Sequence, residues 1–169
     1  MILRGFALAA ALFAWAVPAR ALPQDVPAGY ELVRKVFVAA ATPWTDTEIE
    51  VRQGEEFLFR ASGSVSLQKD NPIAGCGPDG MKLQTMRQPL PERNLGALIG
   101  RVRDRVEIVE DKQTKEKTTR EFGEAFFIGA EGLFTAAVSG RLQLGVNDNL
   151  STDNDGGFEV LIFRRKPAR

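Results

Sequence analysis

Histidine is missing from this chain altogether, and cysteine occurs once, at Cys76. Without imidazole the chain has no ordinary general base near neutral pH and lacks the commonest transition-metal ligand, so zinc chemistry has little to stand on. Covalent hydrolysis fares no better: no serine sits in a G-x-S-x-G elbow, and Cys76 has no imidazole to activate it. A single cysteine also rules out an intramolecular disulfide, leaving Cys76 as a buried small hydrophobe or a link between chains. Surplus charge is lacking too. With 22 basic and 22 acidic side chains the formal net charge is zero, which gives no general attraction to nucleic acid or anionic membranes. Nor does any segment of convincing length keep the 3.6-residue spacing that lets a helix bury one face.

Long apolar runs are scarce, and the one present lies at the start. Arg4 supplies a positive beginning, Phe6 to Val17 an apolar stretch, and Ala19-Arg20-Ala21 an A-x-A cleavage pattern. Residues 1–21 read as a secretory signal peptide, an uncleaved anchor being the alternative, and the expected location is secreted or periplasmic. Its removal leaves about 150 residues, the size of one domain with a substantial core. Residues 22–29, LPQDVPAG, are punctuated by proline and glycine and read as a flexible leader. The domain is expected over 30–165, with 166–169 as a basic tail.

What the chain does have is alternation. Leu32 to Ala40, Glu48 to Val51, Glu56 to Ala61, Leu95 to Val102, Phe122 to Ile128 and Gly132 to Ala137 have strand composition, and Gln53-Gly54 offers a tight turn. Val106 and Ile108 continue the pattern of the Leu95 strand. Residues 62–92, rich in glycine and proline, read as a long irregular region wrapping one end of a sheet. The run 111–120, DKQTKEKTTR, balances its charges and reads as a solvated hairpin or projecting loop. About eight or nine short strands with turns between them predict an all-β fold, an antiparallel β-sandwich or jelly roll.

The final segment carries the most chemistry. In GRLQLGVNDNLSTDNDGGFEVLIF, residues 140–163, Leu142, Leu144 and Val146 alternate on one side and Phe158, Val160 and Ile162 on the other, as two neighbouring strands would. Between them lie Asp148, Asn149, Asp153, Asn154 and Asp155. Such crowded carboxylates repel unless water, a cation or a donor offsets them, and hard oxygens of this kind suit calcium. The same residues are also common turn chemistry. An EF-hand is excluded, because the loop position that needs a bidentate glutamate falls on Ile162, so a calcium ion here would need ligands from a second segment. A glycosidase built on Asp148 and Asp153 stays open, since carboxylate separation is a three-dimensional quantity. Trp44 is either a stacking platform for a sugar ring or a core side chain.

Five stretches together, ASG at 61–63, CGPDG at 76–80, GALIGRV at 96–102, GRLQLGVND at 140–148 and DNDGGF at 153–158, resemble the PA-IL (LecA)-like bacterial lectins. The resemblance runs from Lys35 to Phe163. It implies a non-enzymatic jelly-roll sandwich that binds galactose or another glycan through one Ca2+ ion, as a homo-oligomer. By the same matching, Asp148, Asp153 and Asn154 would ligate the metal through side chains, and Leu67 and Thr152 through backbone carbonyls. Asn149, Asn154 and Asp79 would contact the carbohydrate. The loop is shorter than in the galactose-binding prototype, and Pro78 to Met81 stand where that prototype has histidine and glutamine. An envelope interaction or structural module on the same sandwich, without sugar binding, is the alternative.

Overall fold

The computed structural model describes residues 25–110 and 112–167, so the segment 1–24, with the expected signal peptide, lies outside the described residues. Eleven strands are present among those described: β1 (Tyr30–Ala39), β2 (Thr45–Val51), β3 (Glu56–Ser66), β4 (Gly75–Cys76), β5 (Leu98–Arg103), β6 (Arg105–Glu110), β7 (Lys117–Phe122), β8 (Ala125–Phe127), β9 (Glu131–Thr135), β10 (Gly140–Val146) and β11 (Asp155–Arg165). All their pairings are antiparallel. One sheet runs β1-β11-β3, with β9 along the first half of β3 and β4 along its last two residues. The facing sheet runs β2-β10-β5-β8, and β6 pairs only with β7. The molecule is therefore the antiparallel β-sandwich that the alternation predicts. Among the described residues no helix is long and apolar enough to cross a membrane.

Alternation places the core. From the first sheet Val38, Phe57, Phe59, Phe158, Val160 and Ile162 point inward, and from the second Ile49, Val51, Leu98, Val102, Leu142, Leu144 and Val146 meet them, all 7% exposed or less. Burying one such side chain stabilises the fold by about 1.5–3 kcal/mol relative to leaving it in water. Where β2 slips in register against β10, Thr47 repairs the ladder: its buried hydroxyl donates to the Leu142 carbonyl at 2.8 Å. On the outer face of the first sheet Leu161 and Phe163 are also buried, with the Arg60 guanidinium 5.7 Å from the Phe163 ring centre. Arg60 also donates to the Asp25 carbonyl at 3.1 Å, which ties the described part of the leader to this face.

Several expectations need correction. The two alternating runs of 140–163 are not neighbours: β10 belongs to one sheet and β11 to the other, and the loop between them crosses the sandwich. Alternation identifies a buried face, not a pairing partner, and both runs bury a face from opposite sides of one core. The Glu56 strand continues to Ser66, because Gly63 lets it pass close to β11; a Cβ there would sit 2.6 Å from the Gly157 carbonyl oxygen. Val106 and Ile108 do not extend the Leu95 strand. The chain breaks at Asp104, and β6 leaves with β7 as an exposed two-stranded ribbon, the projecting hairpin expected around 111–120.

A two-stranded ribbon is marginal alone, so its base must be held. Glu121 on β7 does this, accepting from Arg101 at 2.7 Å, from Gln143 at 3.3 Å and from Arg103. The Arg101 guanidinium lies 4.4 Å over the half-buried Trp44 ring, so that tryptophan serves this anchor. The Arg103 hydrogen bond, opposed by desolvation and aided by Gln143 and the two arginine charges, holds the Glu121 carboxyl below its ordinary value. A depressed carboxylate stabilises above the unfolded-state pKa and loses that contribution as pH falls through the folded-state pKa. Glu121→Gln should therefore lower the melting temperature at neutral pH, and thermal melts should show the gap to the parent protein closing as pH drops below about 4.5. A gap that persisted unchanged into acid would contradict this anchor.

Candidate functional site

Leaving β10, the chain must cross the end of an apolar sandwich, and the first residue it brings is Asn147, fully buried. Its side-chain amide imitates a strand: Oδ1 accepts the Leu90 N–H at 2.9 Å, and Nδ2 donates to the Leu90 and Asn94 carbonyls at 3.0 Å each. Its backbone adds two more bonds, to Ala97 at 2.8 Å and from Gly96 at 3.1 Å. One residue thus fastens the irregular 81–96 region to the loop. Nothing in the local sequence marks Asn147, because its partners are all backbone groups far away along the chain.

Asp148 follows, half-buried, with Oδ1 accepting the Leu150 N–H at 3.2 Å. Its other oxygen accepts from Asn154 Nδ2 at 3.1 Å, and that amide also reaches the Ala40 carbonyl at 3.4 Å. Between them Ser151–Asp153 form a short 3₁₀ turn, closed by Asn154 N–H to the Ser151 carbonyl at 3.2 Å. The early loop comes to meet this one. Ser66 pairs with Asp155 in the ladder, and the Lys69 N–H donates to the Asp153 carbonyl at 2.7 Å. Leu67 lies between these two joints, its side chain packed against the core.

The structure therefore brings Asp148, Asp153 and Asn154 into one loop beside the segment that carries Leu67. Thr152 lies in the 3₁₀ turn, and Asn149 is exposed at the loop's start. Asp79 has other partners: Oδ1 accepts the Ala130 N–H at 2.8 Å, and its carbonyl accepts from Asn94 at 2.9 Å. Lys69 and Ala40 join the site without any signal in the sequence. Cys76 is half-buried against Gly96, and that burial pushes its thiol pKa up, away from reactivity.

Two oxygens stand out. Asp153 Oδ1 and Asn154 Oδ1 are buried and have no hydrogen-bond partner. The Asn154 amide cannot remedy this by turning over, since its nitrogen is already the donor that Asp148 and Ala40 require. Among the described residues neither Asp148 nor Asp153 enters an ion pair with lysine or arginine. Nor do three histidine, cysteine, aspartate or glutamate side chains gather anywhere among them. The donor set is thus two carboxylates, one amide and nearby carbonyls, oxygen throughout, which fits a hard cation and not a soft one.

No protein-family model and no curated protein sequence matches the chain. Among solved structures it is similar to the EclA N-terminal domain, a PllA-like lectin, with a TM-score of 0.55 and 19% identity, over 79% of this chain and 98% of that one. The likeness is one of fold: it supports the β-sandwich and does not single out the PA-IL (LecA)-like group.

Replacing Asn147 with alanine would strand the Leu90 N–H, while the Leu90 carbonyl keeps Gln88 and Arg93 as donors and the Asn94 carbonyl keeps Ala97. Asn147→Ala should cost about 1–3 kcal/mol, read from the midpoint of urea unfolding. A cost below about 0.5 kcal/mol would show that this amide does not fasten the loop.

Proposed function

We propose that this protein is an exported, non-enzymatic carbohydrate-binding domain in which the loop 148–154 holds one calcium ion. The observation that carries the reading is the pair of buried, unpartnered oxygens, Asp153 Oδ1 and Asn154 Oδ1, beside the unneutralised Asp148. Asp148, Asp153 and Asn154 would hold the ion, with backbone carbonyls of Leu67 and Thr152 completing the protein's share. When bound, calcium supplies a hard positive centre whose open positions vicinal sugar hydroxyls occupy in place of water.

The chain's own residues do the rest. Lys69 joins the Leu67 segment to the loop and Asn147 fastens the loop's start to 81–96, so the oxygens are arranged before any ligand arrives. Asn149, exposed at the loop's start, offers its main chain to a hydroxyl, and Asn154 lies beside it. Asp79 has one oxygen committed to Ala130 and is the weaker of the sugar contacts. The likeness to a PllA-like lectin supports carbohydrate as the ligand class, galactose-like or another glycan.

Millimolar calcium should raise the melting temperature by several degrees, and EDTA should reverse the gain. Asp148→Ala should leave a folded sandwich that no longer responds to calcium. On a glycan array, binding should appear with calcium and vanish with EDTA. A parent protein unmoved by calcium would overturn the metal, and calcium-replete protein silent on the array would overturn the sugar.

A further inference from the structure

We propose that a cavity at the end of the sandwich remote from the Asp148 loop binds a small organic cation with an apolar body, of the arylammonium or alkylammonium class. β5 separates the two places: Leu98 pairs with Val146 at the loop end, and Arg103 pairs with Arg141 at the other. The cavity opens beside Val102 and Asp104, about 15–20 Å along the strand from Leu98.

The cavity holds about 270 Å³. An apolar cavity of about 150 Å³ is enough for benzene, so an aromatic ring with a short arm fits here. The walls come from both sheets. Val102 lies at the back, and Phe126 of β8 stacks on Phe134 of β9 with ring centres 3.7 Å apart and planes 6° from parallel. Gly100 makes that stack possible, because a Cβ there would lie 2.5 Å from the Phe126 ring. Ala137 and the exposed Val138 complete the apolar lining.

Charge at the rim has one sign. Asp104 and Glu124 both line the cavity, both are exposed, and among the described residues neither has an ion pair or a side-chain hydrogen bond. The neighbouring guanidinium groups are already engaged: Arg103 by Glu121, and Arg105 by Glu107 and the face of the Phe122 ring. Uncompensated carboxylates above an apolar chamber favour a ligand with a positive head and a hydrocarbon body over a neutral or anionic one of the same shape.

Calorimetric titration in EDTA, without sugar, separates this site from the calcium loop. Benzylammonium should bind saturably and at least about threefold more tightly than benzyl alcohol, with the preference lost in 1 M salt. Asp104→Asn combined with Glu124→Gln, both on exposed side chains, should keep the parent circular dichroism spectrum and bind the two probes alike. Ala137→Trp should fill the chamber and remove both. Equal binding of the two probes by the parent protein, a preference surviving in the double variant or in high salt, undiminished binding by Ala137→Trp, or no saturation with either probe overturns the proposal.

Discussion

Carrying a chain across the end of an apolar sandwich forces polar backbone and side chains into a place with little water, and each buried group there must find a partner. The β10 to β11 crossing meets this constraint in two ways. At Asn147 it is met completely, by an amide whose donors and acceptor all land on backbone. At Asp153 and Asn154 it is met halfway, with one oxygen of each left over. The completed half holds the loops still, and the incomplete half is where chemistry can occur.

Much of the sandwich was legible because its signal is local. In β2, Thr47, Ile49 and Val51 are buried while Asp46, Glu48 and Glu50 face water, and that alternation is written directly in TDTEIEV. The balanced charges after Glu110 likewise announce a ribbon with no face to bury. Pairing was not legible. Leu144 and Phe158 both read as inward-facing strand residues, and nothing in either run says that they lie on opposite walls of the core. For the candidate site, side-chain chemistry pointed to Asp148, Asp153 and Asn154, whereas Lys69 and Ala40 take part through their backbones, which carry no residue-specific signal.

The two ends of the molecule have been divided by what each connection must do. At the loop end the chain passes between sheets, and the Asp153 and Asn154 oxygens are left buried without partners. At the other end the ribbon leaves the body, and Glu121 with Arg101, Arg103 and Gln143 absorbs the charge that such a departure exposes. Engaging those arginines leaves Asp104 and Glu124 without counterions, next to aromatic side chains that join the sheet edges. The anionic rim of the remote cavity is thus a consequence of how the ribbon is anchored.

Magnitudes decide how much the incomplete half matters. A buried polar atom left unpaired costs about 1–3 kcal/mol, and more when it belongs to a carboxylate. A domain of this size holds a net stability of only about 5–15 kcal/mol. Two such oxygens beside a second carboxylate therefore weigh against a sizeable fraction of the whole. A single water could satisfy hydrogen-bonding capacity but would leave the Asp148 and Asp153 carboxylates without a countercharge, while a divalent cation would supply both. Because that gain would exist only in the folded chain, occupancy of the proposed site and stability of the sandwich would rise together. The proposed ion would then be held by two segments that the Ser66–Asp155 pair and the Lys69 N–H already join, above a base that Asn147 fastens to 81–96.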